Sequence, residues 1–438
     1  MSEIVDQLLG GSLGYFWPVY RGKSPDLDDA LALRGFLRER QSELELVLLR
    51  DDPFGPDRTP TPVGFIGATE HSGVVLRDLL IQGGTMRAGG GRVSTDRYTA
   101  ETVVAEPEIE SVTNLDFASV SALFHGETAL RWSGLRAIED KVTTNRQGRV
   151  QRIRLDMRSV PDLVSQLGPS TELRLSAYWR KSPNPSRGYV IDAGLKAFVE
   201  TTRPRTSQQI GAVLMRIQDL LSVAFRGHYE VVEGTARTVG TNEASPMWNA
   251  QLMSAPPAQV ARAERSGLPL FSLVQLGGVE GVARWVRLCA RHPRAVGPIV
   301  NRLRRGVATP EVETLELAAA IEYWVAANRR LGRVWAQRTS RQDNPAAALT
   351  RYVGPSFAQW LAGSTSSWAS AFWGHYNGIK HDPRFNYSRR DLWLLSEGAR
   401  LLLTGSLLNR VALTRQPAEA IFSHYVATRL GQELRKVV

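Results

Sequence analysis

The sequence predicts an α+β, multidomain chain: an antiparallel β-rich N-terminal domain followed by an all-α helical bundle. Two changes of rhythm carry that prediction. As far as Thr201 the apolar residues fall in short runs with a period near two, broken by glycine and proline, as in antiparallel sheets. From Ser207 onward they recur at helical spacing, and prolines at 293, 310, 355, 383 and 417 stand where helices stop or start.

In the first half, Leu31 to Leu37 and Glu43 to Arg50 alternate as strands, and the turn-rich Asp51 to Pro62 separates them from Val63 to Ala68. Gly73 to Ile81, Tyr98 to Ala105, Arg152 to Met157, Glu172 to Trp179 and Gly188 to Thr201 are further strands. Gly83–Gly84 and Gly89–Gly91 read as hairpin turns, since no G-K-[ST] follows to make a phosphate loop. So many short strands suit a sandwich or barrel. Ser207 to Phe225 carries a helical stripe. Val231 to Pro269, rich in proline, alanine and polar residues, reads as a long connection or partly ordered insert. Beyond it come helices over Val279 to Ala290, Pro310 to Arg330, Ser356 to His381, Arg389 to Val411 and Gln416 to Arg435. The expected division is a β-rich domain over 1–205, a helical connector over 206–309 and a helical domain over 310–438.

Of the 438 residues 43% are apolar and 22% charged, the profile of a globular chain. No run approaches the ~18 apolar residues of a membrane-spanning helix, and Met1 to Gly14 lacks the pattern of a secretory leader, so the expected location is cytoplasmic, without a membrane partner. The one cysteine, Cys289, lies in an apolar run, as a core residue of a reducing compartment would. No Cys/His set has the spacing of a metal site, and no cofactor is implied; His71, His125, His228, His292 and His424 receive no role. The net charge of +11 favours polyanionic partners. Arg284, Arg287, Arg291 and Arg294 recur at helical spacing, with Pro293 placed to end the helix before the last of them; Arg302, Arg304 and Arg305 follow, and no acidic residue lies between Glu280 and Glu311. This series offers an RNA-binding surface tracking phosphates; the plainer reading is a solvated basic face.

The richest stretch is Phe372 to Phe385, FWGHYNGIKHDPRF, closing an aromatic helix that includes Trp360, Trp368 and Trp373. Asn377 and His381 are four residues apart and share a face. His381 sits in the last turn, where the helix dipole favours a cation and an imidazole is placed to exchange a proton with a ribose hydroxyl. The plainer alternatives are a histidine that caps carbonyls, and an Asn377 that bonds between helices.

These residues resemble HEPN ribonucleases, which carry an Arg, usually a polar residue, and a His four to six positions after the Arg. Asn377, Lys380 and His381 match the N-x-x-[K/A]-H part. Leu392 to Leu408 resembles the last core helix of that fold, and Leu315 to Arg330, with Glu322 amid apolar residues, its opening helix. Tyr376 stands where the family has Arg, and His375 occupies the alternative spacing. The segments RGFL (Arg34 to Leu37), ELVLL (Glu45 to Leu49), GFIGATE (Gly64 to Glu70) and VVLRDLL (Val74 to Leu80) resemble the N-terminal domain of ApeA-type abortive-infection proteins, which join such a domain to a HEPN domain.

The resemblance implies an antiphage effector: a sensing β-rich half that answers a phage-derived trigger, and a HEPN half that cuts RNA, tRNA among the targets, without a metal, at a homodimer or higher homo-oligomer interface. It assigns proton transfer to His381 and positioning to Asn377. Lys380, His375 and Arg384 are the cations available in place of the missing Arg. The rival reading is a degenerate HEPN scaffold that binds RNA or a protein partner; a third is a small-molecule sensor using a cleft of the β-rich half.

Overall fold

The computed structural model describes residues 3–40, 43–50, 61–86, 94–106, 108–145, 147, 149–184, 188–263, 267–340 and 343–438. The chain opens with α1 (Glu3–Gly10) and six strands, β1 (Ser12–Val19), β2 (Leu33–Arg40), β3 (Glu43–Arg50), β4 (Gly64–Thr69), β5 (Gly73–Met86) and β6 (Ser94–Ala105). Then follow β7 (Asn114–His125), α2 (Glu127–Ser133), β8 (Ile138–Thr144), β9 (Val150–Met157), β10 (Leu163–Gly168), β11 (Thr171–Asn184), β12 (Gly188–Arg205), α3 (Ser207–Phe225), β13 (Val231–Val239), β14 (Ser245–Asn249) and α4 (Ala250–Met253). The rest is helical: α5 (Gly278–Arg291), α6 (Pro293–Arg305), α7 (Pro310–Arg330), α8 (Pro345–Val353), α9 (Pro355–Trp360), α10 (Thr365–His381), α11 (Arg389–Ala412), α12 (Gln416–Ser423) and α13 (Tyr425–Leu434). This is the α+β, two-part architecture the sequence predicts.

Two compact units result. One comprises Met1–Gly126, Ala137–Gln218 and Glu230–Ala255; the other comprises Glu127–Arg136, Asp219–Tyr229 and Pro256–Val438.

In the β-rich unit, pairings run β6-β3-β2-β1-β4-β5 and return from β5 to β6, closing an antiparallel barrel. Closure removes the exposed edges that a free sheet would leave. Phe16, Leu46, Phe65, Leu76 and Tyr98 fill the barrel, joined by Val5, Leu8 and Leu9 of α1. From β6 the sheet continues outward as β14-β13-β7-β12-β11-β10. A separate hairpin pairs β8 with β9.

Several expectations need correction here. The segment from Val231 is not a connection: β13 and β14 belong to the sheet, so the β-rich unit runs well past the expected boundary at 205. β13 alternates buried Gly234, Ala236 and Thr238 with half-buried Thr235, Arg237 and Val239, a period-two pattern written in small residues with little apolar contrast. β7 breaks the alternation differently: Leu115 and Phe117 are buried, and then Val120 through Phe124 in an unbroken run. Its Ser121 hydroxyl bonds Thr235 of β13 at 2.7 Å, satisfying a polar group inside the sheet. β1, β8 and β10 are strands in addition to those the sequence pattern predicts. Gly83 and Gly84 lie within β5, beside a register shift at Ile81, rather than in a turn. Most of the expected Asp51 to Pro62 turn and the Gly89–Gly91 turn fall outside the described residues.

In the helical unit, Thr309 caps α7, Asn344 caps α8 and Ser388 caps α11, each accepting a first-turn N–H. α5 stops at Arg291 and Pro293 begins α6, so Arg294 falls on the next helix. Ser356 to His381 is not one helix. Ala362 (φ 51°) and Gly363 (φ 91°) take left-handed backbone, which ends α9 and restarts the chain as α10. Gln416 to Arg435 is likewise divided at His424, whose extended backbone stops α12 and whose Nδ1 accepts Val426 N–H to cap α13.

The bundle is organised around α11, of whose 24 residues eighteen are buried. A helix buried all round packs on several neighbours at once, and α11 contacts α5, α7, α8, α10, α12 and α13. Polar pairs fix its register against α7: Thr314 with Ser396 at 2.8 Å, and Trp324 Nε1 donating to Ser406 at 2.9 Å. Between α6, α7 and α11 lies a buried charge network. Arg302 Nη1 bonds Glu313 at 3.1 Å and also Glu397, while Arg400 bonds Glu313 at 2.9 Å and the Pro298 carbonyl at 3.1 Å.

Glu313→Ala should leave Arg302 and Arg400 without their shared carboxylate and destabilise the fold by about 3–5 kcal/mol, the usual loss when a buried pair is broken. Urea unfolding of the full chain measures this, and a change below ~1 kcal/mol would show that the network is dispensable.

A second expectation concerns pH. Burial, then the Arg226 charge, holds His424 below the ordinary imidazole value; burial, then Arg291 and Arg410, does so for His292. The folded chain therefore binds fewer protons than the unfolded one, and this stability, present above about pH 6.5, is lost as pH falls through the lowered folded values. The thermal midpoint should drop between about pH 7 and pH 5. His424→Asn keeps a capping acceptor without the titration and should flatten part of the slope; an unaltered slope would clear His424 of any share.

Candidate functional site

The aromatic side of α10 is its packing side. Trp368, Phe372 and Tyr376 are buried, with Trp368 and Phe372 stacked at 5.6 Å between centroids. The opposite side is exposed and nearly free of bulk: Ser366, Ser370, Gly374, Asn377 and His381 succeed one another at three- and four-residue intervals. Asn377 and His381 thus share one solvent-facing strip at the C-terminal end of the helix. Among the described residues neither side chain has a hydrogen bond or ion pair.

The other predicted residues are distributed around this strip. Tyr376, at the position expected for Arg, points into the core at 6% exposure. Its hydroxyl accepts a hydrogen bond from Lys380 Nζ at 3.0 Å, and the ammonium stands 5.2 Å from the ring centroid. That hydrogen bond, with a smaller contribution from Glu322, holds Lys380 above the ordinary lysine value, so it stays a cation throughout the physiological range. Glu322 itself faces solvent. His375 lies elsewhere. Its Nδ1 is 2.8 Å from the Ala371 carbonyl, and its ring meets Phe385 edge-on at 5.6 Å.

Phe385 also explains how Arg384 is placed. The chain after α10 turns at Asp382, whose carboxylate accepts Arg384 N–H at 2.9 Å. Phe385 then folds back over Gly378, where a Cβ would come within 2.5 Å of the ring. Only glycine admits that approach. Tyr387 stacks behind Phe385 and donates to Glu311, which keeps the segment anchored and Arg384 exposed.

The basic series on α5 and α6 divides. Arg284 turns inward and donates to the Val411 carbonyl near the end of α11, a structural bond rather than an open phosphate contact. Arg302 and Arg304 are engaged by Glu313, Glu397 and Asp219, and Arg294 lies 5.2 Å from the Tyr323 ring centroid. Arg287 is half-buried with a partner of its own. Arg291 is exposed. Cys289 is buried, as expected of a core thiol.

Sequence reasoning passed over Glu313, Glu397 and Arg400. The signal that would have found them is charge on an otherwise apolar helix face, Glu397 and Arg400 being three residues apart inside the leucine-rich α11. Among the described residues no helix is long and apolar enough to cross a membrane, and no cluster of three His, Cys, Asp or Glu side chains is placed to hold a metal ion.

An antiparallel barrel extended by a six-strand sheet, joined in one chain to a helical bundle, defines a two-part α+β protein. The family model described as ApeA N-terminal domain 1 matches residues 12–246, more than half of the chain and nearly coincident with β1 through β14. The chain belongs to the family of proteins that carry this domain. No curated protein and no solved structure matches it.

Lys380→Ala should leave the fold intact, because Lys380 is exposed and Tyr376 stays buried without it. Urea unfolding should differ from the parent by no more than about 0.5 kcal/mol, as for exposed substitutions, and a larger loss would give the Lys380–Tyr376 bond a structural share.

Proposed function

We propose that this protein is an antiphage abortive-infection effector whose helical unit is HEPN-like and cuts RNA through the exposed end of α10. Family membership is consistent with an ApeA-like antiphage defence protein. The observation that carries the ribonuclease reading is the exposed pair Asn377 and His381, unengaged by the described residues and bordered by a lysine whose charge is secured by Tyr376. Unengaged polar side chains on a helix terminus are available to a substrate in a way that core-satisfied ones are not.

In this scheme a ribose 2′-hydroxyl attacks the adjacent phosphorus and the 5′-oxygen leaves. His381 takes part in that proton exchange, and Asn377 orients the phosphate or the imidazole. Lys380 supplies positive charge beside the phosphate, and Arg384 is the second cation of the same helix end. Because Arg binds phosphate as a fork and Lys as a point charge, this arrangement holds the phosphate less rigidly than an Arg would. The serine and glycine strip of α10, with no side chain at Gly374 to hold a partner off, suits close approach of a second copy of the same helix.

A second reading is favoured by one observation, the burial of Tyr376 at the position of the family Arg. In it the helical unit is a scaffold that binds RNA or a protein partner without cutting.

Purified protein incubated with total RNA and tRNA in excess EDTA, with and without lysate from infected cells, separates the two. The expected result is cleavage leaving 2′,3′-cyclic phosphate ends, abolished by His381→Ala with an unchanged melting curve. RNA retained intact under every condition, while still bound, would establish the scaffold instead.

A further inference from the structure

The helical unit contains a cavity of about 320 Å³ that lies apart from the end of α10. Its walls are apolar: Val223 at the end of α3, Leu270, Ile299 on α6, Leu394 and Leu401 on α11, and Leu430 on α13. Trp393, with 38% of its surface in solvent, adds an aromatic face. The size and the apolar lining are those of a small-molecule site.

The charges along the lining are unequal in kind. Arg302, Glu397 and Arg400 belong to the buried network with Glu313, where two guanidiniums meet two carboxylates and cancel. Glu433 is held by Arg390 at 2.6 Å and by Lys436 at 2.6 Å. Arg226 and Arg429 also line the cavity, and both are exposed; among the described residues neither has a carboxylate partner or a side-chain hydrogen bond. Arg226 is moreover held at a φ of 57°, a conformation that costs a non-glycine residue energy. An apolar chamber thus carries two uncompensated guanidiniums, groups suited to bind a carboxylate through paired N–H bonds.

We infer that this cavity binds a small amphipathic carboxylate, its hydrocarbon part between α6, α11 and α13 and its carboxylate at Arg226 and Arg429. A hydrocarbon alone would leave both guanidiniums unanswered, and a small hydrophilic anion would leave the apolar walls empty. The inference is independent of RNA chemistry, since none of its residues lies on α10.

Isothermal titration of the full chain with octanoate, octanol and acetate tests it. Octanoate should bind saturably, and more tightly than octanol or acetate by about tenfold or more, the worth of a charge-assisted pair. Reversing both exposed charges, Arg226→Glu with Arg429→Glu, should weaken octanoate about tenfold and leave octanol unchanged. Leu401→Trp, which fills the chamber, should abolish binding of both, with circular dichroism confirming the fold, and His381→Ala should alter neither. Equal affinity for octanoate and octanol, octanoate binding indifferent to the reversed charges, or no saturable binding to the parent chain would overturn the assignment.

Discussion

The helical unit depends on a desolvated meeting of charges, Glu313 of α7 and Glu397 of α11 with Arg302 of α6 and Arg400 of α11. Burial by itself pushes the Arg400 guanidinium toward neutrality, and the carboxylates, Glu397 foremost, oppose this. A guanidinium stays charged under such conditions, so the network is stable only while every partner is present. That condition fixes three helices in one arrangement more strictly than leucines would, because apolar side chains tolerate small slips and a shared carboxylate oxygen does not. Three of these residues, Arg302, Glu397 and Arg400, form one side of the 320 Å³ cavity. The rigidity of its charged side therefore follows from the network.

α11 converts that local constraint into an order for the bundle. Buried along most of its length, it positions α7 through hydroxyl and indole bonds, and α10 and α13 through Gly398, where a Cβ would come within 2.9 Å of both Trp368 and Leu434. With its aromatic side committed to the core, α10 has only one strip left for solvent. The chemistry of that strip is then set by what the sequence places there: small residues, an asparagine, a lysine and a terminal histidine. Tyr376 links the two sides, buried in its ring and bonded through its hydroxyl to the exposed Lys380.

The β-rich unit solves a different problem. A long antiparallel sheet exposes edges, and here one end of the sheet closes upon itself through β5 and β6. The remaining strands extend from β6 by way of β14, which is why the sequence through Asn249 is required to complete a fold that seems, on composition, to end near Thr201.

The sequence by itself determined the two-part architecture, the strands over Glu43–Arg50 and from Gly188 as far as Thr201, the helices over Ser207–Phe225 and Pro310–Arg330, and the proline-marked helix starts. Each depends on periodicity or on a local backbone restriction, both of which are properties of neighbouring residues. It also placed Asn377 and His381 on one face, since four-residue spacing within a helix does not need tertiary information. Only the tertiary structure decided that β7 and β13 are strands: the inward positions of β13 hold mostly glycine, alanine and threonine, and β7 buries Val120 through Phe124 without alternation, so neither shows a clean period of two. Only it divided Ser356 to His381 at the left-handed turn of Ala362 and Gly363, turned Arg284 inward to the Val411 carbonyl, and gathered Arg226, Trp393 and Arg429 around one cavity. Those outcomes depend on which distant groups arrive beside a residue, and spacing along the chain does not encode that.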